Sequence, residues 1–254
     1  MPGLDIRTNH YAPGERHARH AHAYTNVSLV LAGALVERVG RTEEYASALS
    51  VVVKPAGTEH ADVFGPAGAT LLQLLVPGEC VVHSADRWRW MRSFATARWM
   101  LRIAARSADA AGDNDDNDDN DDTSDALAEC LGTLDGTSTE QPERAPQWLQ
   151  RVRERIADEC TVRVRVSDLA RDAGVHPVHL TRQFRRYYGT SVVGCVQLHR
   201  VRRAADALAG SSAPISHVAL SAGFADQSHL TRVFKRGLGV TPGAFRTGAA
   251  RASV

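Results

Sequence analysis

Two octapeptides, HLTRQFRR from His179 to Arg186 and HLTRVFKR from His229 to Arg236, differ at two positions and stand 50 residues apart. Their residue types suit the edges of DNA bases. Long guanidinium donors pair with guanine O6 and N7, and small or methyl-bearing groups meet the thymine methyl. Arg182 and Arg232 are the expected base readers, with Val178, Thr181, Ser228 and Thr231 beside them. Arg185, Arg186, Lys235 and Arg236 suit phosphates, which position a protein without reading sequence. Gln227, ahead of the second octapeptide, is a further contact. His179 and His229 are expected to pack within the fold. A single arginine on a surface helix is usually only solvated, so the reading rests on the repetition.

Each octapeptide follows a short apolar stretch that ends in Ala-Gly. The first has Leu169, Ala170 and Ala173-Gly174; the second has Val218, Ala219, Leu220 and Ala222-Gly223. Helix, glycine-containing turn, helix is the helix-turn-helix pattern, and the glycine supplies a left-handed turn position. Leu180 and Phe184, like Leu230 and Phe234, are four apart and face one side. Ser167 is the expected cap of the first helix, and Pro214 belongs to the first turn of its counterpart. Between the copies, Ser191 to Leu208 reads as one long helix with Val192, Val196, Val201, Ala205 and Leu208 inside, ending at Gly210-Ser211-Ser212. A rod between two reading heads fixes their separation, and ~34 Å would place them in successive major grooves. Pro146 opens a helix with Leu149, Val152, Ile156 and Ala157 on one face. Thr241-Pro242 starts a last short helix.

The formal charge of +1 hides a strong asymmetry: +3 over residues 1–108, −12 over 109–150 and +10 over 151–254. A basic final third points to a polyanionic partner. Residues 113–122 hold seven Asp and three Asn, which reads as a solvated loop that buries nothing. An EF-hand needs a central Gly and a terminal Glu that this run lacks. The four cysteines, Cys80, Cys130, Cys160 and Cys195, form no Cys-x-x-Cys pair, which excludes a zinc knuckle or a disulfide scaffold. The first residues lack a signal-peptide core and no apolar run suffices for a membrane span, so a soluble, cytoplasmic protein is expected.

Residues 1–84 carry short apolar runs, Val27 to Leu31, Leu49 to Val53 and Leu71 to Val76, separated by glycines, prolines and charged turns. They predict an all-β barrel or sandwich. Residues 88–106 read as a helix leaving it, with Trp88 and Trp90 as packing residues. The expected organisation is a two-domain chain. Residues 1–84 form an effector-binding β domain. Residues 85–145 form a helical and acidic linker carrying a dimerisation helix. Residues 146–254 form an all-α domain of two helix-turn-helix subdomains joined by a long helix.

Over residues 146–247 the chain resembles the AraC/XylS-type family of bacterial transcription regulators. HPVHLTRQFRRYYG at 176–189 is similar to the family's first recognition helix, and ISHVALSAGFADQSHLTRVFKRGLGVTPGAF at 215–245 to its signature region. The resemblance implies binding of double-stranded promoter DNA, commonly as a homodimer, a small-molecule effector, contact with RNA polymerase and no enzymatic activity. It places Val178, Thr181 and Arg182, and Gln227, Ser228, Thr231 and Arg232, on the base-contact face. The N-terminal part resembles a cupin-type sensing domain, that is, a cupin-like barrel. Gly14 and His20-x-His22 look like the start of a first cupin motif, and Pro55-x-Gly57-x-x-His60 like the second. Histidines at i and i+2 of a strand point to one face, and a third from another strand can join them at a metal. His20, His22 and His60 are thus candidate ligands for Zn²⁺ or another divalent ion. The usual acidic ligand would fall near Asn26. Tyr24 and Asn26 instead suit an effector pocket, together with His60. The alternative is a metal-dependent cupin enzyme with a basic accessory domain. An RNA-binding or architectural role is disfavoured because the helical part lacks interleaved exposed aromatics.

Overall fold

The computed structural model describes residues 5–76, 88–91, 94–110 and 145–250. The acidic run at 113–122, Cys80 and Cys130 lie outside them. The described residues fall into two compact units. One comprises residues 5–110 with 205–212 and 234–250, the other residues 145–204 with 213–233.

The first unit is built on a seven-stranded antiparallel sheet. Its strands are β1 (Asp5–Tyr11), β2 (Arg16–His20), β3 (Thr25–Val39), β4 (Thr42–Ser47), β5 (Val51–Lys54), β6 (His60–Val76) and β7 (Arg89–Met91). Helix α1 (Phe94–Ala110) follows. β3 and β6 form the spine and pair along most of their length. β6 carries β2 along its first part and β1 along its second, while β3 carries β5 and then β4.

The cupin-like barrel expected from the sequence is not what forms. Closure requires the first and last strands to pair, whereas here the order runs β1-β6-β3-β5-β7 and stops at both ends. The sheet is open. The apolar runs 27–31 and 71–76 looked like separate short staves, but each is part of a strand of 15 or 17 residues. Their other segments, with Glu37 and Arg38 in β3 and His60 and Asp62 in β6, also pair in the sheet. Gly33 and Gly68 stand where the spine register shifts, both with φ near +71°. A Cβ on Gly33 would lie 2.1 Å from the Gly68 carbonyl oxygen, so only glycine permits this approach. Trp88 to Met91, expected in a helix, lead into and form β7, which pairs with β5. Val30, Leu35, Ala46, Phe64, Ala69 and Leu71 make one buried apolar cluster, with Tyr11 and Trp90 packed on it.

The helical elements are α2 (Gln147–Glu159), α3 (Val166–Asp172), α4 (Pro177–Tyr188), α5 (Val192–Gly210), α6 (Ile215–Ser221), α7 (Gln227–Leu238) and α8 (Pro242–Ala250). Leu149, Val152 and Ile156 of α2 join Leu169, Ala170, Leu180, Phe184, Val192, Cys195 and Val196 in one core. Val201, Ala205 and Leu208 are also buried on α5, as its periodicity predicts. Gly210 closes that helix from within. Ser167 does not cap α3: the chain enters from Arg165 in extended conformation without a side-chain cap bond. Pro214 is the residue before α6. Thr241 does cap α8, its hydroxyl accepting from the Ala244 amide at 3.2 Å. Cys160 and Cys195 are buried free thiols, with pKa values raised chiefly by burial.

Candidate functional site

Helix α4 starts with Pro177 in its first turn, where the missing N–H costs nothing. Leu180 and Phe184 are fully buried and orient the helix. With that face fixed, Val178, Thr181, Arg182, Arg185 and Arg186 lie on the exposed side. They line one shallow surface depression together with Pro177. Val178 is 68% exposed, which leaves an apolar branched side chain in water next to arginines. The Thr181 hydroxyl donates to the Pro177 carbonyl at 2.9 Å. Its proton is engaged, and its methyl and oxygen lone pairs remain for a partner.

Helix α7 repeats the scheme. Leu230, Phe234 and Leu238 are fully buried, while Gln227, Ser228, Arg232, Lys235 and Arg236 are exposed. Thr231 is half-buried and donates to the Gln227 carbonyl at 2.9 Å, matching Thr181. The two histidines rest on aromatic neighbours: His179 stacks with Trp148 at 5.8 Å, and His229 meets Phe224 edge-on at 5.3 Å. Both recognition helices end at a left-handed glycine, Gly189 and Gly239. Two exposed helix faces of matched, mainly cationic chemistry result, and such faces suit a polyanionic duplex.

A second cluster lies in the sheet unit. His20 and His60 are cross-strand partners of β2 and β6, and His22 lies just beyond β2. Ring centroids are 4.3 Å apart for His20 and His60, 4.9 Å for His20 and His22, and 5.2 Å for His22 and His60. Nδ1 of His60 is 2.9 Å from the Thr58 carbonyl oxygen, and Nδ1 of His20 is 2.8 Å from that of Ala18. A carbonyl only accepts, so Nδ1 carries a proton in both rings, and Nε2 is the nitrogen left to bind a ligand. Carbonyl-oriented imidazoles of this kind are usual around metals. Burial, with the Lys54 ammonium adding to it, pushes the His60 pKa down to about 4 and also lowers that of His22. Both are then neutral near pH 7, the form that ligates.

Tyr24 stacks flat on His22 at 5.1 Å. Asn26 is buried, with Oδ1 accepting from the Ser28 hydroxyl at 2.7 Å. Gln73 donates to Ser28 in turn and accepts from Asn9. Sequence reasoning missed four members of the region. His17 is half-buried and packs edge-on against Tyr11 and Phe64. Glu37, Lys54 and Asp62 are buried charged residues, with Lys54 Nζ 2.7 Å from Glu37 Oε1. The signal for Asp62 was available: it stands two residues after His60 on a strand and therefore shares its face. The donor atoms of His20, His22 and His60 lie within 4.8 Å of one another, as do those of His17, His20 and Asp62, and of Glu37, His60 and Asp62. This clustering gives a donor set able to hold a metal ion.

Comparison with known proteins bears on the helical part. The profile of the helix-turn-helix domain family matches residues 169–248. Over 83 residues the chain is 31% identical to the probable transcription factor PqrA of Proteus vulgaris, a match covering 33% of this chain and 68% of that one. The chain belongs to the AraC/XylS-type family of helix-turn-helix transcription regulators. It is also 38% identical over 78 residues to the transcriptional regulator GlxA of Rhizobium meliloti, covering 31% of this chain and 24% of that one. With the arabinose operon regulatory protein of Escherichia coli it shares 32% identity over 83 residues, covering 33% and 28%. The match thus spans about a quarter of each of these two longer relatives. Among solved structures, the DNA-binding domain of AdpA in complex with a target DNA aligns over 42% of this chain and 97% of that one, at 25% identity and TM-score 0.41. ToxT from Vibrio cholerae aligns over 97% and 98%, at 8% identity and TM-score 0.41. No helix among the described residues is long and apolar enough to cross a membrane.

Proposed function

We propose that the chain is a cytoplasmic, homodimeric, sequence-specific transcription regulator that reads double-stranded promoter DNA with α4 and α7. Arg182 and Arg232 reach base edges. Val178, Thr181, Gln227, Ser228 and Thr231 complete the contacts to bases. Arg185, Arg186, Lys235 and Arg236 bind phosphates. Bound at a promoter, the regulator acts through RNA polymerase. The N-terminal sheet is its sensing part. His20, His22 and His60 would hold a divalent ion such as Zn²⁺, which supplies a charge and a rigid cross-link between β2 and β6. Tyr24 and Asn26, with His60, would line the place of a small-molecule effector.

The observation that carries the DNA reading is the two-sided order of both helices. In each, the Leu/Phe pair is fully buried while the matched arginine is exposed. Selection of bound duplexes from a random pool gives the cognate site, on which affinity is then measured against salt. Neutralising four phosphates corresponds to a log–log slope of about −4. A flat dependence, or selection of no common sequence, overturns the reading.

A further inference from the structure

We propose that Asp62 is the fourth ligand of a divalent-cation site at His20, His22 and His60, and that the Lys54 ammonium bars this site until an ion displaces it. The inference rests on the metal reading of the three histidines and adds both its missing acid and its gate.

Charge is unbalanced around the histidines. Lys54, Glu37 and Asp62 are all buried beside the histidines. Lys54 offsets Glu37 at 2.7 Å. Asp62 has no comparable partner: its Oδ2 is 3.7 Å from His60 Nε2 and 4.0 Å from His17 Nδ1. Its Oδ1 accepts no hydrogen bond among the described residues. A buried carboxylate left in that condition is costly, and a cation close to it removes the cost. Two carboxylates facing one lysine leave an opening for a further positive charge.

Asp62 lies two residues beyond His60 on β6 and is paired with Glu37 of β3, so the acid and His60 share one face. The cupin resemblance implied an acidic ligand near Asn26, but Asn26 is an amide that accepts from Ser28. His20 and His60 each belong both to the three-histidine group and to a group containing Asp62, and imidazole nitrogens joined by a carboxylate oxygen suit zinc and similar transition ions. Calcium and magnesium prefer oxygen throughout.

The gate follows from the His60 tautomer. With its Nδ1–H on the Thr58 carbonyl, the ring has one lone pair to offer, on Nε2. Lys54 Nζ stands 3.3 Å from that atom and donates to it. An ion can use His60 only when this N–H turns away, and Glu37 Oε1 already waits beside the ammonium. The other Glu37 oxygen, Oε2, accepts from the Trp88 indole N–H at 2.5 Å. Ion entry is therefore felt at an indole just before β7.

The test is a zinc titration of the tag-free full-length protein, followed by calorimetry and tryptophan emission. The expected result is one zinc per chain, abolished by His60→Ala, with an emission change that Trp88→Phe removes. Asp62→Asn should weaken zinc about 100-fold, the upper end of what a metal-site partner contributes. Lys54→Met should tighten it about 10-fold. Because Lys54→Met strands Glu37, the double variant Lys54→Met/Glu37→Gln serves if circular dichroism shows the single one unfolded. Zinc bound by the wild type with Asp62→Asn unchanged overturns the fourth ligand. Zinc bound no more tightly without Lys54 overturns the gate. In both cases the three-histidine reading stands, whereas a wild type that takes up no zinc ends that reading as well.

Discussion

The two helix-turn-helix copies are alike where the backbone dictates and differ where each meets something else. Both recognition helices turn a Leu/Phe pair inward, carry a threonine bonded back one turn and stop at a left-handed glycine. They differ at the entrance. Before α4, the His176 ring accepts from the Val178 amide at 3.3 Å. Before α7, the Asp226 carboxylate accepts from the His229 amide at 2.6 Å, a stronger, charged cap. They differ again at the turn. Gly174 and Gly223 both have positive φ, but a Cβ on Gly174 would meet nothing within 4 Å, while one on Gly223 would lie 2.7 Å from Thr161 Cα. The first glycine serves only its own turn; the second also lets Thr161 approach. One repeated motif therefore has two sets of tolerances.

The widest gap between the copies should appear at these glycines. Gly223→Ala combines backbone strain with a clash against main chain and should cost about 3 kcal/mol. Gly174→Ala carries the strain alone and should cost about 1 kcal/mol. Urea denaturation of the two variants measures the difference, and equal losses would mean the turns are interchangeable. A smaller effect concerns DNA. Arg182→Ala and Arg232→Ala should each cost about 2 kcal/mol on a selected site and relax base preference in one half of it only. Titrations against duplexes altered in either half check this, and a uniform loss on all duplexes would reassign the arginine to phosphate. The smallest effect concerns the caps. Asp226→Ala should lower stability by about 1 kcal/mol, and His176→Ala, which removes a neutral cap, by about half of that. Thermal melts of both variants test the order.

The helical half was legible because its signals are local. A 3.6-residue period names Leu180, Phe184, Leu230 and Phe234 as inner positions, and all four are fully buried. The octapeptide repeat set out the exposed residues in the same stroke. Ser167 misled because α3 begins one residue earlier, on Val166. The sheet was far less legible because pairing is a long-range property. Runs such as Val27 to Leu31 have the same local pattern whether their strand lies in a closed barrel or an open sheet. What separates the two is whether β1 meets β7, about eighty residues away in sequence. The histidine region was half legible for the same reason. His20 and His22 announce themselves by spacing, whereas Glu37 and Lys54 reach it through the register of β3 and β5. Lys54 is the last residue of a strand buried throughout, one position beyond the apolar run that the sequence displays.

Downstream of α2, the guanidinium of Arg200 donates to the Cys160 carbonyl at 2.6 Å and to that of Val162 at 2.9 Å. The residue between them, Thr161, is the one that Gly223 touches. The first three residues of the connector between α2 and α3 are thus clasped by the rod helix from one direction and by the second turn from another. Loosening of the chain at this point would therefore free the rod helix and the second turn at once.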